Sequence, residues 1–420
     1  MKTNRMMITV LSLISIVAML LCSCAKAQEV KADSEENDVT VNQTSTVRDF
    51  KDMGMSLATT TWGLLQQSTL VNDRFAIVEP VPTGGCYIRE YRLPEMNEVN
   101  IGDNDNPVID DIRGGAAPLS ANGNLIIIKN GQTPIPSSDW EGTPSIIYME
   151  ESEGKFKPLI TLKNNELFSM GMEACDTQDN LYSIVQVFDT ETYSSLKESY
   201  LMRINIHSGE TTVLKNWEGF AIINIIGIYP EGLVIQKMDY GSSLTGGPAE
   251  MSLELYSVLS NTGEDIDLSW KEGEYSTALD DQGHVYYCNG KALNMYDLAS
   301  GEKVAVDQDI SLGEEIDSIL LLGEVIDTHI PYYIVTTSGN EILCSYDLTT
   351  GECSQNQKTY IFDGEDVRPM TIWGTYEDKY VVLSGARFIP ETYSDKDGSY
   401  SIDRGYDTYS LISQNEYWNS

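Results

Sequence analysis

Basic residues and histidine are scarce in this chain. Its 27 Lys and Arg stand against 64 Asp and Glu, with only 3 His, which leaves a formal charge of −37 at pH 7. Such a surface repels polyanions, so nucleic acid and anionic lipid headgroups are excluded as partners, while neutral or cationic ligands stay open. His207, His284 and His329 share no local motif, and no close His and Cys spacing supports a zinc site. Cys86, Cys175, Cys288, Cys344 and Cys353 form no CxxC pair and are too widely spaced for a disulfide framework; most read as small core hydrophobes. A Gly-x-Ser-x-Gly elbow, a phosphate loop and a dinucleotide fingerprint are also missing, so no cofactor is expected. No segment keeps a helical period for more than about two turns.

The N-terminus carries Lys2 and Arg5, then an uncharged apolar stretch from Ile8 to Leu21. That stretch is short for a hydrocarbon core of about 30 Å and has the flanks of a secretory signal. Leu21-Cys22-Ser23-Cys24 resembles a bacterial lipobox, in which a Leu three positions ahead and a small residue directly ahead of a Cys direct lipid attachment to that Cys. The resemblance implies cleavage after Ser23, lipidation of Cys24, and an extracytoplasmic protein held to the membrane by its lipid. The alternatives are an ordinary signal peptide and an uncleaved anchor. Removing 1–23 takes Lys2 and Arg5 and no acid, moving the formal charge from −37 to −39. Residues 24–47 are polar and acidic, with Asp33-Ser-Glu-Glu-Asn-Asp38 and no aromatic, and read as a flexible tether. Such a tether reaches on the order of 25 Å.

From residue 48 to 420 short β-branched and aromatic runs alternate with Gly, Asn and Asp turns, the pattern of an all-β chain. Polar turns recur at Gly154, Gly209, Gly263, Gly301 and Gly351, at intervals of 55, 54, 38 and 50 residues. Strong central strands stand at Arg74 to Val78, Leu125 to Ile128, Leu181 to Val185, Leu233 to Gln236, Val285 to Cys288, Tyr332 to Val335 and Tyr380 to Leu383. Third strands follow at Cys86, Ile146, Tyr200, Leu253, Leu293, Leu343 and Tyr409. Several central strands follow tight turns that need positive φ, as at Asn122-Gly123, Asp179-Asn180 and Gln282-Gly283. Units of about 50 residues are propeller-blade spacing. The pattern resembles bacterial β-propeller lipoproteins over residues 50–420, which implies a seven-bladed β-propeller, or six or eight blades if a terminal unit is misread. No Trp-Asp ending, Kelch double glycine or Asp-box transfers a function with the architecture.

Unit length varies in one place. The connection between second and third strands is long at Gly131 to Thr143, Asp189 to Ser199, Asp239 to Glu250 and Phe388 to Tyr406, but only two or three residues in units five and six. In a propeller these connections share one face, and insertions confined to a face mark it for recognition. They carry Asp139, Trp140, Tyr193, Tyr240, Arg387, Tyr393, Tyr400, Arg404 and Tyr406, types enriched at binding hot spots or able to pack their own loops. Asp103-Asn-Asp105-Asn106 with Asp110-Asp111, and Asp395-Lys-Asp397-Gly398 with Asp403, are rich in oxygen ligands but complete no EF-hand, so no metal is expected. The sequence thus reads as a monomeric, lipid-anchored binding or protein-interaction module for a protein, peptide or glycan. A carbohydrate-active hydrolase or lyase, with carboxylates converging at the central channel, is the alternative. Replacing Cys24→Ser should move the protein from the detergent phase to the aqueous phase of a Triton X-114 partition; unchanged partitioning contradicts lipidation at Cys24.

Overall fold

The computed structural model describes the backbone of 48–49 and 53–55 and most of 68–418; 136–140, 192–195, 240–249 and 396–397 are among the stretches outside the described residues. Seven sheets, antiparallel apart from two short parallel pairings, follow one another along the chain, and each is a blade. All seven expected central strands are second strands: Arg74–Pro80, Asn124–Lys129, Asn180–Phe188, Gly232–Asp239, His284–Asn289, His329–Thr336 and Lys379–Asp395. The third strands, from Cys86–Arg92 in blade one to Gly398–Ser413 in blade seven, also stand where the sequence puts them. The protein is a seven-bladed β-propeller.

Why these runs become central strands follows from what covers them. Leu125, Ile126, Ile127 and Ile128 are all buried, as are Phe75 to Val78 and Leu233 to Ile235, so both faces of each sheet are enclosed. A strand enclosed on both faces reads as a continuous apolar run and not as an alternation. The buried side chains fall into seven clusters, one at each junction of adjacent blades, blade six contributing the partly buried Ile326 to the cluster it shares with blade seven. Ala76, Val78 and Ile88 of blade one meet Leu125 and Ile127 of blade two, while the opposite side of blade one, Phe75, Ile77 and Tyr91, meets Val381, Tyr409 and Leu411 of blade seven. Seven clusters for seven junctions close the ring.

Closure uses the ends of the chain. Blade seven takes its outermost strand from the N-terminal side, where Arg48 and Asp49 pair with Leu411 and Ser410, and Met53 to Met55 pair with Asp407 to Gly405. This pairing covers the edge that a linear array would leave open. The C-terminal helix Gln414–Trp418 then packs between blades six and seven. Its Tyr417 hydroxyl donates to the Met370 carbonyl at 2.7 Å, and Trp418 stacks on His329 with centroids 4.0 Å apart.

The turns between first and second strands, and between third and fourth, share one face. Asp280 organises the first kind in blade five: one carboxylate oxygen accepts the backbone N–H of Gln282 and His284 at 2.9 and 2.8 Å. The other meets His284 Nδ1 at 2.8 Å and accepts the Tyr286 hydroxyl at 3.2 Å. Asp176 repeats the arrangement in blade three with Gln178, Asn180 and Tyr182. The glycine turns are the second kind. Gly154, Gly209, Gly301 and Gly351 have φ between 72° and 78°, whereas in blade four Asn261 takes the left-handed position at φ 56°. Gly263 is needed there for space, since a Cβ would lie 1.6 Å from Glu254 Oε1. Asp297 and Asp347 fold the turns over themselves by accepting the N–H groups of Ala299, Ser300 and Thr349.

Asp280→Ala strands two turn N–H groups and the buried Tyr286 hydroxyl, and should cost about 2–4 kcal/mol in urea unfolding. Tyr286→Phe removes one partner and should cost about 1 kcal/mol. Equal losses would contradict the carboxylate as the centre of this turn.

Candidate functional site

The opposite face carries the connections between second and third strands and the passages between blades. Of the residues singled out from sequence, Asp139, Trp140, Tyr193 and Tyr240 lie outside the described residues. The rest fall on one element. The segment Phe388 to Tyr406 is not a loop: Lys379–Asp395 and Gly398–Ser413 continue as a paired two-stranded ribbon, register-matched from Lys379 and Ser413 to Asp395 and Gly398. Its β-branched and aromatic content, joined at Asp397-Gly398, satisfies hairpin chemistry as well as a loop. In that register Tyr393 stands opposite Tyr400, Ile389 opposite Arg404, and Arg387 opposite Tyr406. The ribbon therefore gathers Arg387, Tyr393, Tyr400 and Arg404, which the sequence separates by up to 17 positions.

A second hairpin, absent from the sequence reading, flanks the root of this ribbon. Thr359–Phe362 and Asp366–Pro369 pair with each other, and Phe362 pairs with Ala386 in parallel, taking over beside the ribbon from the inner strand Thr371–Tyr376. Phe362 packs edge-on to Phe388 at 5.6 Å, and the Arg368 guanidinium lies 3.6 Å over the Phe362 ring. Ile361 and Val367 are 50% and 61% exposed. Asp363-Gly364 between two apolar runs was the available signal.

At the ribbon's root stands Asp407, opposite Ala386 on one side and Met53 on the other. Burial alone pushes its carboxyl up to about 6; burial also raises the neighbouring Tyr360 and Tyr409 hydroxyls, and the Asp407 charge adds to both. The ring-closing strand thus lies against a carboxyl group that resists ionisation.

On the axis, inner strands of blades three, four and seven, with the passage from Leu322 to Ile326 between blades five and six, frame a cavity of about 590 Å³. Ile225, Ile226 and Ile228 of blade four and Ile372 of blade seven give it apolar walls, with Tyr417 at one side. Its carboxylates are Glu173, ahead of the strand Ala174–Cys175 of blade three, and Glu324, on the short strand Gly323–Glu324 that pairs with the inner strand of blade five. Burial pushes the Cys175 thiol on this wall up to about 11, far from a nucleophile's range.

Other titratable clusters serve the scaffold. Arg74 joins blades one and two by bonding Glu90 and Glu150, each at 2.9 Å, and Arg92 reaches Glu90 at 3.0 Å. These carboxylates are locked by guanidinium groups at the turn face. His207 and His284 also stand there, each against an Asp of its own blade, at 2.9 and 2.8 Å. The Asp103 cluster closes on itself: its Oδ1 accepts the N–H of Asp105 and Asn106, which holds its carboxyl below the usual range. Among the described residues no group of three His, Cys, Asp or Glu is placed to hold a metal ion.

No family model matches the chain, and no curated protein matches it either. Solved structures resemble it in chain path. An oligogalacturonate lyase from Vibrio parahaemolyticus is 10% identical with a TM-score of 0.49, covering 88% of this chain and 97% of its own. A manganese complex of an oligogalacturonate lyase is 11% identical with a TM-score of 0.47, covering 84% and 90%. TolB from Acinetobacter baumannii is 10% identical with a TM-score of 0.35, covering 79% and 78%. Nothing of their chemistry carries over at such identities.

Asp407 makes stability fall as pH rises. Its folded pKa, about 6, exceeds the ordinary 3.8, so the folded state holds the proton more tightly. The contribution of Asp407 should be full below pH 4 and decline through pH 6, by up to about 3 kcal/mol for a shift of this size. Asp407→Asn should flatten that window in urea titrations across it; an unaltered pH profile contradicts the assignment.

Proposed function

We propose that this chain is a lipid-anchored, extracytoplasmic protein-interaction module that engages a partner through its loop face and performs no chemistry. The observation that carries the reading is the pair of hairpins on that face. A ribbon runs out to Asp395 and Gly398, and beside its root Ile361 and Val367 stand exposed, with Arg368 over Phe362. Exposed aliphatic groups beside an aromatic–arginine pair are the composition of a protein interface core. A glycan reading, by contrast, calls for aromatic faces and polar side chains brought together in a concave site.

Chain direction supports the same arrangement. The closing strand runs antiparallel to Gly398–Ser413, from Arg48 opposite Leu411 to Met55 opposite Gly405, so the preceding chain joins the propeller at the turn face. A membrane tether at 24–47 would then approach from behind, leaving the loop face to the medium. The hydrolase alternative needs carboxylates converging at the channel within roughly 5–10 Å. The described carboxylates of the cavity wall, Glu173 and Glu324, come from different blades with the isoleucines of blade four between them, which favours binding.

In-cell crosslinking followed by mass spectrometry tests the proposal. Ile361→Asp with Val367→Asp, and Tyr393→Ala with Arg387→Ala, should each deplete a crosslinked partner by roughly tenfold, as expected for loss of one or two interface anchors. Glu210→Ala on the turn face should leave it unchanged. A partner profile insensitive to both loop-face variants defeats the reading.

A further inference from the structure

We propose that the axial cavity is a binding site for an alkyl diammonium ion, a run of methylenes with an ammonium group at each end. Its volume, about 590 Å³, lies within the range of pockets that enclose small organic ligands. The walls set the chemistry. Ile226 and Ile228 on one side and Ile372 on another offer nothing to hydroxyl groups, so the part of a sugar or polyol lying between them would lose its water without replacement hydrogen bonds. A methylene chain loses no such bonds and gains by leaving water.

Charge selects the ends. Glu173 and Glu324 are the ionisable carboxylates of the wall, and among the described lining residues there is no Lys, Arg or His. An anion therefore finds repulsion from both sides. Glu173 comes from blade three and Glu324 from the strand paired with blade five, so the isoleucines of blade four lie between them around the ring. That order, acid, apolar band, acid, matches ammonium, methylenes, ammonium. A metal ion would require several such ligands together, whereas among the described residues no three converge. The net charge of −37 adds a general attraction that raises the local concentration of cations.

The wall is built before any ligand arrives. Tyr417 is 4% exposed, and its hydroxyl is held by the Met370 carbonyl at 2.7 Å and the Asn356 side-chain amide at 2.9 Å. Gly227, between two of the wall isoleucines, permits close packing of blades four and five, since a Cβ there would lie 2.0 Å from Leu279 Cδ2. This site lies on the axis and is separate from the hairpins of the loop face, so either proposal can fail alone.

Isothermal titration of the purified full-length protein with 1,6-diaminohexane tests the proposal, using hexylamine, 1,6-hexanediol and adipate as length-matched probes. Saturable binding of the diamine is expected, with hexylamine weaker by roughly tenfold and the diol and adipate inert; added salt should weaken the diamine. Glu173→Gln and Glu324→Gln should each reduce diamine affinity by roughly fivefold to tenfold, whereas Glu210→Gln on the turn face should not. Leu322→Asn changes a wall side chain already 40% exposed, so it keeps the fold while weakening the diamine. The proposal is overturned if the diamine does not saturate, if hexylamine, the diol or adipate matches it, or if both glutamate variants bind it as the parent does.

Discussion

Every sheet in this molecule is apolar on both faces, and that constraint governs the rest. A blade such as Asn124–Lys129 with its neighbours cannot fold alone, because Ile126 and Ile128 need blade three while Leu125 and Ile127 need blade one. Stacking satisfies each blade at its neighbour's expense, until the last has one bare face and the first has another. Joining Phe75 and Ile77 to Val381, Tyr409 and Leu411 is the arrangement that leaves neither exposed. Ring closure is thus a consequence of two-sided burial.

Closure sorts the connections by task. On the turn face they join neighbours: Asn122 Nδ2 donates to the Asp176 carbonyl and to Asp179, Asn72 donates to the Gly123 carbonyl, and Tyr380 donates to Asp327 of the preceding blade. Such bonds restrict length and composition, which is why those turns look alike. The loop face has ties of its own, such as Asn130 Nδ2 donating to the Phe168 carbonyl and Ser145 donating to the Glu166 carbonyl, and insertions extend beyond them without disturbing the blade junctions. Both hairpins at blade seven grow from this freedom, and the closing strand that pairs beside Asp407 supports their root.

Two-sided burial also explains what could be read from residues in order. Leu125 to Ile128 and Leu181 to Val185 announce themselves because a doubly covered strand has no polar alternation to obscure it. The turns are equally plain, since positive φ at Asn122, Asp179 and Gly283 restricts the residues that fit. Phe388 to Tyr406 misled for a related reason. Its Tyr, Ser and Asp composition suits a loop or a solvated ribbon, and only pairing across the segment decides between them.

Local chemistry, then, determined the strands, the turns, the repeat and the acidic surface, because each depends on neighbours within a few residues. Tertiary structure alone decided that the N-terminal strand closes the last blade, and that Ile361, Val367 and Arg368 gather beside the ribbon. It also decided that Glu173 and Glu324, 151 positions apart in the chain, face one cavity. Those relations depend on which surfaces meet through space, and a chain position carries no record of the blade opposite it until the ring has closed.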